Sequence, residues 1–546
     1  MDGTPSLVTD GGERRDDRPA DDRRDLDAAA LTERLRAEQE AVSDEGRPEA
    51  VAHQHDRGKL TARERAAYLC DEGSFDELGQ LAAPAPTTPE TADWEREDAP
   101  ADGVVAGLGE IDGRPVAVAA TDFTVKGGSI GHTGGHKLER LYDLAIDRGF
   151  PVVNLHDGGG HRIQEGLDAR PTVQGDGGLF RQQTRLSGWV PFVSAMMGPG
   201  FAAPTNFSVM ADFVPMVEES TLGVAGPSLV EAALGTEVSK EELGGADVHT
   251  VRTGMADAAY PDDEACLDAI AAWLSYLPRN CRRDPPAVET REPEREPDTL
   301  VDVIPADPKA AYDVRDVLAG VVDADSLFEV KPRYARNVVT AFARVEGRPV
   351  GVIANAPRVM AGTIDTGASE KAARFASLCD AFGLPLLLFE DTPGVLPGPD
   401  SEAEGVARHA GKLPFQLNRA TVPIANVVLR RGYGFGHVAM GGGRSARNDL
   451  TVVWPTAEVA AMGIEGAVDV AYRREIEAAD DPEAKREALV EKFSDRTGAI
   501  RAASGVGVDA AIEPGETRGR IARMLDRADE PLEEDWPPKK HPIDPI

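Results

Sequence analysis

The feature that most constrains this chain is that it states one pattern twice, 234 residues apart. Gly113-Arg-Pro-Val116 returns as Gly347-Arg-Pro-Val350. Gly128, Lys137, Pro151, Asp157 and Gly160 return as Gly362, Lys371, Pro385, Asp391 and Gly394. Fixed spacing with matched chemistry is an internal repeat, and this period is far too long for a solenoid. It predicts two copies of one domain. Short insertions shift the spacing further on, where Pro191 pairs with Pro423 and Gly226 with Gly466. The charged, Pro-containing run Glu289-Thr-Arg-Glu-Pro-Glu-Arg-Glu-Pro-Asp298 is the natural linker. The expected layout is a charged, disordered tail over residues 1–26, an N-terminal domain over 27–288 and a C-terminal domain over 299–546.

Each copy centres on a glycine turn. An apolar run from Pro151 to Leu155 leads into Asp157 and Gly158-Gly159-Gly160, and Pro385 to Phe389 leads into Asp391-Thr-Pro-Gly394. Glycines there let the chain turn sharply, approach a ligand closely and aim N–H groups at negative charge. Around these turns the alternation of strand, turn and helix predicts an α/β fold with crossovers. Asp27 to about Ser43 reads as a helix. Thr61-Ala-Arg-Glu64 is a capping box that starts another. Residues 80–100 read as loop, and Val104 to Ala120 as a hairpin turning at Asp112-Gly113. Phe123-Thr-Val-Lys-Gly127-Gly128-Ser129 ends in a further glycine turn. From His136 the spacing of Leu138, Leu141, Tyr142 and Ala145 marks one helix face. Val190 to Met197 is a strand, with Met196 and Met197 as core filler. The end after Leu532 reads as extended.

The chain carries a formal net charge of −35, with acidic residues spread throughout. Nucleic acid, which needs a basic face, is an unsuitable partner. The acidity suits a heavily solvated surface in high salt, as in a haloarchaeal interior. An anionic ligand would then need a local basic patch. Lys59, Arg63 and Arg65 could supply one for phosphates, or could lie on a solvated helix face. Cys70, Cys266, Cys281 and Cys379 form no C-x-x-C pair, so reduced, buried thiols are expected. No apolar run reaches the ~18 residues of a membrane span and no secretory h-region is visible, so a cytoplasmic setting is expected.

The motif inventory argues by what it lacks. There is no P-loop, no G-x-S-x-G elbow and no H-E-x-x-H, and no G-x-G-x-x-G has a suitable acidic partner. Chemistry resting on a side-chain nucleophile or a metal is therefore not indicated. Backbone N–H groups at helix starts remain, and they suit an oxyanion or enolate. His156, His161 and His437 flank the turns; with no partner visible, each reads as a structural or solvent-facing histidine rather than a base.

Asp157-Gly-Gly-Gly-His-Arg-Ile-Gln-Glu-Gly166 resembles the D-S-G-G-A-R-I-Q-E-G segment of biotin-dependent acyl-CoA carboxyltransferases, the β subunits of propionyl-CoA and acyl-CoA carboxylases. Gly58-Lys-Leu-Thr-Ala-Arg-Glu-Arg65, Phe123-Thr-Val-Lys-Gly-Gly-Ser129, Glu241-Glu-Leu-Gly-Gly-Ala246, Asp391-Thr-Pro-Gly-Val-Leu-Pro-Gly398 and Trp454-Pro-Thr-Ala-Glu458 follow that family's order. The resemblance implies tandem crotonase-like domains, each a β-β-α spiral. It implies acyl-CoA on the N-terminal half and carboxybiotin on the C-terminal half, in a site at a dimer interface of a ring-shaped homohexamer, a trimer of dimers. It implies two oxyanion holes, at Ala202-Ala203 and at Phe435-Gly436. Gly127, Gly128, Gly159, Gly160, Arg162, Gly394, Val395, Gly434 and Val438 are the expected ligand-binding positions. Ala202 and Ala203 stand where the family usually has Gly-Gly, and Phe435 departs from its Y-G-G-A. Val438 falls where the family often has an aspartate that influences acyl choice, so an apolar residue there weakens a propionyl assignment. Without an A-M-K-M motif or an ATP-grasp pattern, biotin and its carboxylation are expected on a separate carboxylase and carrier subunit. The same chemistry run backwards would make a malonyl- or methylmalonyl-CoA decarboxylase subunit, and the altered turns would suit a non-catalytic scaffold subunit of a mixed ring.

Overall fold

In the computed structural model, which describes residues 27–166, 177–494 and 496–528, each copy of the repeat builds one sheet with the same strand order. The expected tail over 1–26 and the end after Leu532 lie outside the described residues. The first sheet contains β1 (Asp76–Leu78), β2 (Val104–Ile111), β3 (Arg114–Thr121), β4 (Val152–His156), β5 (Phe192–Met196), β6 (Pro215–Val217) and β7 (Ala258–Tyr260), hydrogen-bonded in that order. The second contains β8 (Phe328–Val330), β9 (Val338–Val345), β10 (Arg348–Asn355), β11 (Leu386–Thr392), β12 (Ile424–Tyr433), β13 (Leu450–Val453) and β14 (Ala510–Ala511), again in order. In both, the first three strands run antiparallel and the rest pair in parallel.

Local chemistry explains these elements. Asp112 (φ 52°) and Gly113 (φ 69°) form the tight β2–β3 turn, the left-handed geometry that a two-residue hairpin requires. Every residue of β11 is buried, as expected for a parallel strand covered on both faces. The helix predicted from His136 begins earlier and spans His132–Arg148; Leu138, Leu141, Tyr142 and Ala145 are its buried face. Its repeat partner is Thr366–Ala381. The capping box at Thr61 and the helix after Asp27 form as expected.

The repeat extends to buried charge. The Lys137 ammonium donates to the carbonyls of Ala101 and Val104, and Lys371 donates to those of Tyr334, Ala335 and Val338. Burial pulls the two lysines down, to about 8 and about 7.

The halves are not beads on a string. Segment 289–298 is irregular until a 3-10 helix starts at Pro297, and it is pinned along the second half: Arg295 N–H donates to the Ala319 carbonyl (3.0 Å), and Ala324 N–H to that of Glu292 (3.1 Å). One apolar core crosses the boundary. Trp273, on the helix Asp263–Leu274, stacks on Phe213 (5.2 Å between centroids) and meets the edge of Phe342 (6.3 Å). Of the cysteines, Cys281 is exposed, contrary to expectation, while Cys70, Cys266 and Cys379 are buried and all four are free. Because Trp273 is completely buried between the halves, Trp273→Ala should cost about 3–5 kcal/mol. Denaturant unfolding of the two proteins side by side measures it.

Candidate active site

Three turns meet at one end of each sheet. In the first half, the turn after β3 has Lys126, Gly127 and Gly128 at φ 49°, 66° and 69°. It lies directly against the turn after β4. A Cβ placed on Gly128 would sit 2.0 Å from the Asp157 carbonyl oxygen, and one on Gly158 would sit 2.2 Å from the Gly128 oxygen. Only glycine permits that approach. Ser129–Ile130 and Gly160–His161 then pair as a short parallel ladder. The third turn passes through the short strand Pro199–Phe201, paired in parallel with Thr221–Gly223, into the helix Ala203–Ser208. A Cβ on Gly160 would lie 3.1 Å from the Ala203 nitrogen, so the second and third turns touch through their backbones.

The second half repeats this. Ile364 N–H donates to the Gly394 carbonyl (3.0 Å), and Leu396 N–H to that of Ile364 (2.9 Å). In that parallel register Val395 uses neither its N–H nor its C=O in the bridge, and both are directed to the opposite side. Gly436 stands there, on the helix Gly434–Ala439; a Cβ on it would be 2.7 Å from the Gly394 Cα. Gly434 opens that helix at φ 55°. Phe435 and Val438 are on its outer side, 48% and 38% exposed.

A buried carboxylate anchors each central turn. Asp157 accepts from Arg65 (2.8 Å), Gln54 (3.0 Å) and Lys59 (3.3 Å), and its own N–H donates to Thr121 Oγ1 (2.6 Å). Asp391 accepts from Arg431 Nε (2.7 Å) and Arg430 Nε (3.0 Å), and its N–H donates to Asn355 Oδ1 (3.2 Å). This corrects two expectations. Lys59 and Arg65 are committed to Asp157, and Arg63 to Glu77 (2.9 Å), so they form neither a phosphate patch nor a solvated face. Arg162, expected at the ligand, is 1% exposed and holds Asp102, Glu165 (2.8 Å) and the Ser129 carbonyl (3.2 Å); it braces the turn.

Ala202 needs correcting as an oxyanion donor. Its N–H already donates to the Gly223 carbonyl at 2.9 Å, and its backbone sits at φ 66°, ψ −111°, a region unfavourable for a residue with a Cβ. Ala203 occupies the first position of its helix, where the N–H has no intrahelical acceptor. Ala202, Ala203 and Gly159 line a cavity of about 660 Å³ with Phe180, Phe201 and Phe207, and Lys240 supplies a cation. A Cβ on Gly127 or Gly159 would meet nothing within 4 Å, so at those two positions close packing is not the reason for glycine.

The histidines separate. His156 is buried, with Nε2 3.0 Å from Ser194 Oγ, and burial lowers it to about 4, which keeps it neutral. His437 has a partner that sequence reasoning missed: its Nδ1 lies 2.8 Å from Oε1 of Glu390, which is fully buried. Burial pulls His437 down, but the Glu390 carboxylate outweighs it and leaves the imidazole above its ordinary range. The available signal was a lone acid inside the apolar run Leu386-Leu-Leu-Phe-Glu390. At His161 the backbone matters as well as the side chain, because it directly follows Gly160, which packs against the Ala203 nitrogen.

A family model for the carboxyl transferase domain matches residues 53–543. The propionyl-CoA carboxylase carboxyltransferase subunit of Haloferax mediterranei is 42% identical over 510 residues, 93% of this chain and 97% of that one. The methylmalonyl-CoA decarboxylase α subunit of Veillonella parvula is 39% identical over 498 residues, 91% of this chain and 95% of that one. The crystal structure of transcarboxylase 12S, a hexamer assembly with methylmalonyl-coenzyme A bound, superposes with a TM-score of 0.90 at 38% identity, covering 95% of this chain and 99% of the other. Since these matches run through both repeats and share their architecture, the chain belongs to the carboxyl transferase family and its two sheets are tandem crotonase-like domains.

Proposed function

We propose that this protein is the carboxyltransferase subunit of an acyl-CoA carboxylase, moving CO2 from carboxybiotin on a separate carrier chain to the α-carbon of a short acyl-CoA. The observation that carries this reading is the doubled convergence of backbone turns, Gly160 on Ala203 and Gly394 on Gly436. In the first half the amides of His161 and Ala203 receive the thioester oxygen as the α-carbon becomes an enolate. In the second, the amides of Val395 and Gly436 receive the biotin ureido oxygen. Fixed donors of this kind are worth ~3–4 kcal/mol each, because they stabilise charge that develops only in the transition state. Bound carboxybiotin supplies the CO2 and then the nitrogen that takes the α-proton, so no protein base is required. Phe435, exposed beside the second turn, offers such a ring an apolar face.

Exposed apolar residues support a site covered by a second subunit. The helix Pro227–Leu234 buries none of its residues, and Leu229 and Leu234 are 61% and 74% exposed beside the acyl groove. On the second half Val470 and Ile500 are 74% and 86% exposed. A dimer in which the N-terminal half of one subunit faces the C-terminal half of its partner would cover both, within a trimer of dimers. Gly127, Gly128 and Gly434 shape the approach to the ligands, and Val438 sets acyl preference. The carboxylase and carrier subunit is the expected partner, in the cytoplasm. The decarboxylating direction is the second reading, favoured by the Veillonella relative, because both directions share one enolate. The scaffold reading loses ground because the altered first turn still brings Ala203 against Gly160.

The protein mixed with free biotin and malonyl-CoA or methylmalonyl-CoA in high salt should release the decarboxylated acyl-CoA, and the ratio of rates gives the acyl preference. A folded oligomer that turns over neither until a second β-type chain is added would sink the catalytic reading. Gly436→Val keeps the amide but drives its side chain into the Gly394 backbone, where a Cβ would lie 2.7 Å from Cα; by displacing the donor it should lower transfer on the order of 100-fold, while acyl-CoA affinity measured by calorimetry stays the same. Ala202→Gly relieves an unfavourable backbone conformation and should stabilise by about 1 kcal/mol, read as a higher Tm.

A further inference from the structure

A buried charged pair lies beneath the second turn, and nothing in the transfer chemistry assigns it a task. Glu390 is in the fully buried strand β11, and His437 directly follows Gly436 on the helix Gly434–Ala439. Space has been cleared for the pair. A Cβ on Gly432 would lie 2.8 Å from both Glu390 Oε1 and His437 Nδ1, and one on Gly442 would lie 2.1 Å from the imidazole. Gly442 N–H also donates to the His437 carbonyl (2.8 Å). Asn426 on β12 reaches the other Glu390 oxygen (3.5 Å). The charge acting on His437 is Glu390; those acting on Glu390 are His437 and Asp391, and Asp391 is itself covered by Arg430 and Arg431.

The first half lacks this device. His156 stands 234 residues before Glu390, buried against Ser194, and Pro204, next after Ala203, takes the place of His437. The pair therefore belongs to the half proposed for biotin.

We infer that Glu390 and His437 are positioning residues that hold the Gly436 amide at the biotin-side turn. The inference rests on the carboxyl-transfer reading above. A six-residue helix has little stability of its own, and displacing a reacting geometry by ~1 Å can cost about 100-fold in rate. A charged hydrogen bond from the residue beside the donor to the centre of the sheet fixes the start of that helix. Burial raises the Glu390 carboxyl and the facing His437 opposes that rise, so the working form we assign is imidazolium against carboxylate. Glu390 holds the proton on His437 above the ordinary histidine range. It is lost as pH rises through that raised value, leaving a buried carboxylate without its counter-charge.

The test uses the full-length oligomer, with assembly checked by size exclusion. The variants are Glu390→Gln, His437→Gln and the double variant, which is neutral on both sides and can still hydrogen-bond. Transfer from methylmalonyl-CoA to free biotin gives kcat and the KM for biotin; calorimetry gives the Kd for methylmalonyl-CoA. Each single variant should lower kcat/KM for biotin about 10- to 100-fold, with the methylmalonyl-CoA Kd within about twofold. Wild type should lose activity on the alkaline side, and His437→Gln should lack that limb. Wild-type rates and pH profiles in all variants would overturn the inference. Equal loss of acyl-CoA binding would also overturn it, by showing a general structural role. A wild type that binds methylmalonyl-CoA yet transfers nothing would instead overturn the functional reading, and this inference with it.

Discussion

Each half depends on a carboxylate that the fold takes out of water. Asp157 and Asp391 are completely buried at the ends of central strands, where an uncompensated charge would be prohibitive. The compensation organises the surrounding chain. Asp157 draws in Gln54, Lys59 and Arg65, which is why the N-terminal helices lie against the first sheet; Arg65 also holds Asp263, at the start of the helix carrying Trp273. Asp391 is met from β12 itself by Arg430 and Arg431. With its carboxylate pinned, each turn can run past the neighbouring glycine turn at backbone contact.

Much of this was legible in the sequence because duplication leaves a rigid spacing. Gly113 and Gly347, Asp157 and Asp391, and Lys137 and Lys371 locate the same strands, turns and helices in both halves. Local signals located the capping box at Thr61 and the Asp112-Gly113 hairpin. What stayed hidden was pairing between different elements. Lys59, Arg63 and Arg65 look like a free cationic strip until Asp157, Asp263 and Glu77 fold against them. Arg162 looks like a ligand residue until Asp102 closes on it. Ala202 looks like one of two donors until Gly223 takes its N–H. A sequence shows which groups carry charge or donors; whether a partner elsewhere, 14 residues away for Arg63 and Glu77 or 198 for Arg65 and Asp263, has already claimed them is a property of the fold.

On the function proposed above, the two halves adapt one scaffold to two ligands. The backbone frame is copied down to the carbonyls that receive Lys137 and Lys371. The divergence lies beneath the third turn, where the first half places neutral His156 with Ser194 and Ser208 and the second places Glu390, Asn426 and His437. An apolar groove beside the first turn suits an acyl chain, whose reacting group gains charge only at the oxygen. A charged pair behind the second turn suits a step that must hold its donor rigid.

Concentrated salt, to which so acidic a chain is suited, would decide which interactions can set this geometry. In concentrated salt the screening length shrinks to ~3 Å, and exposed pairs such as Arg291–Asp325, with side chains 64% and 79% exposed, contribute little. The pairs that shape the site are of another kind. Arg65–Asp157, Arg162–Asp102 and Arg430–Asp391 all have side chains less than 10% exposed, beyond the reach of mobile ions. A chain with net charge −35 therefore assigns its charge two separate tasks. Its acids at the surface hold water and repel their neighbours, an effect that salt screens. Its buried cations fix the turns, an effect that salt leaves alone. The same screening weakens the repulsion an acidic surface would impose on an anionic thioester, so the groove can take such a ligand with Lys240 and its aromatic walls in place of the basic patch that the net charge alone would demand.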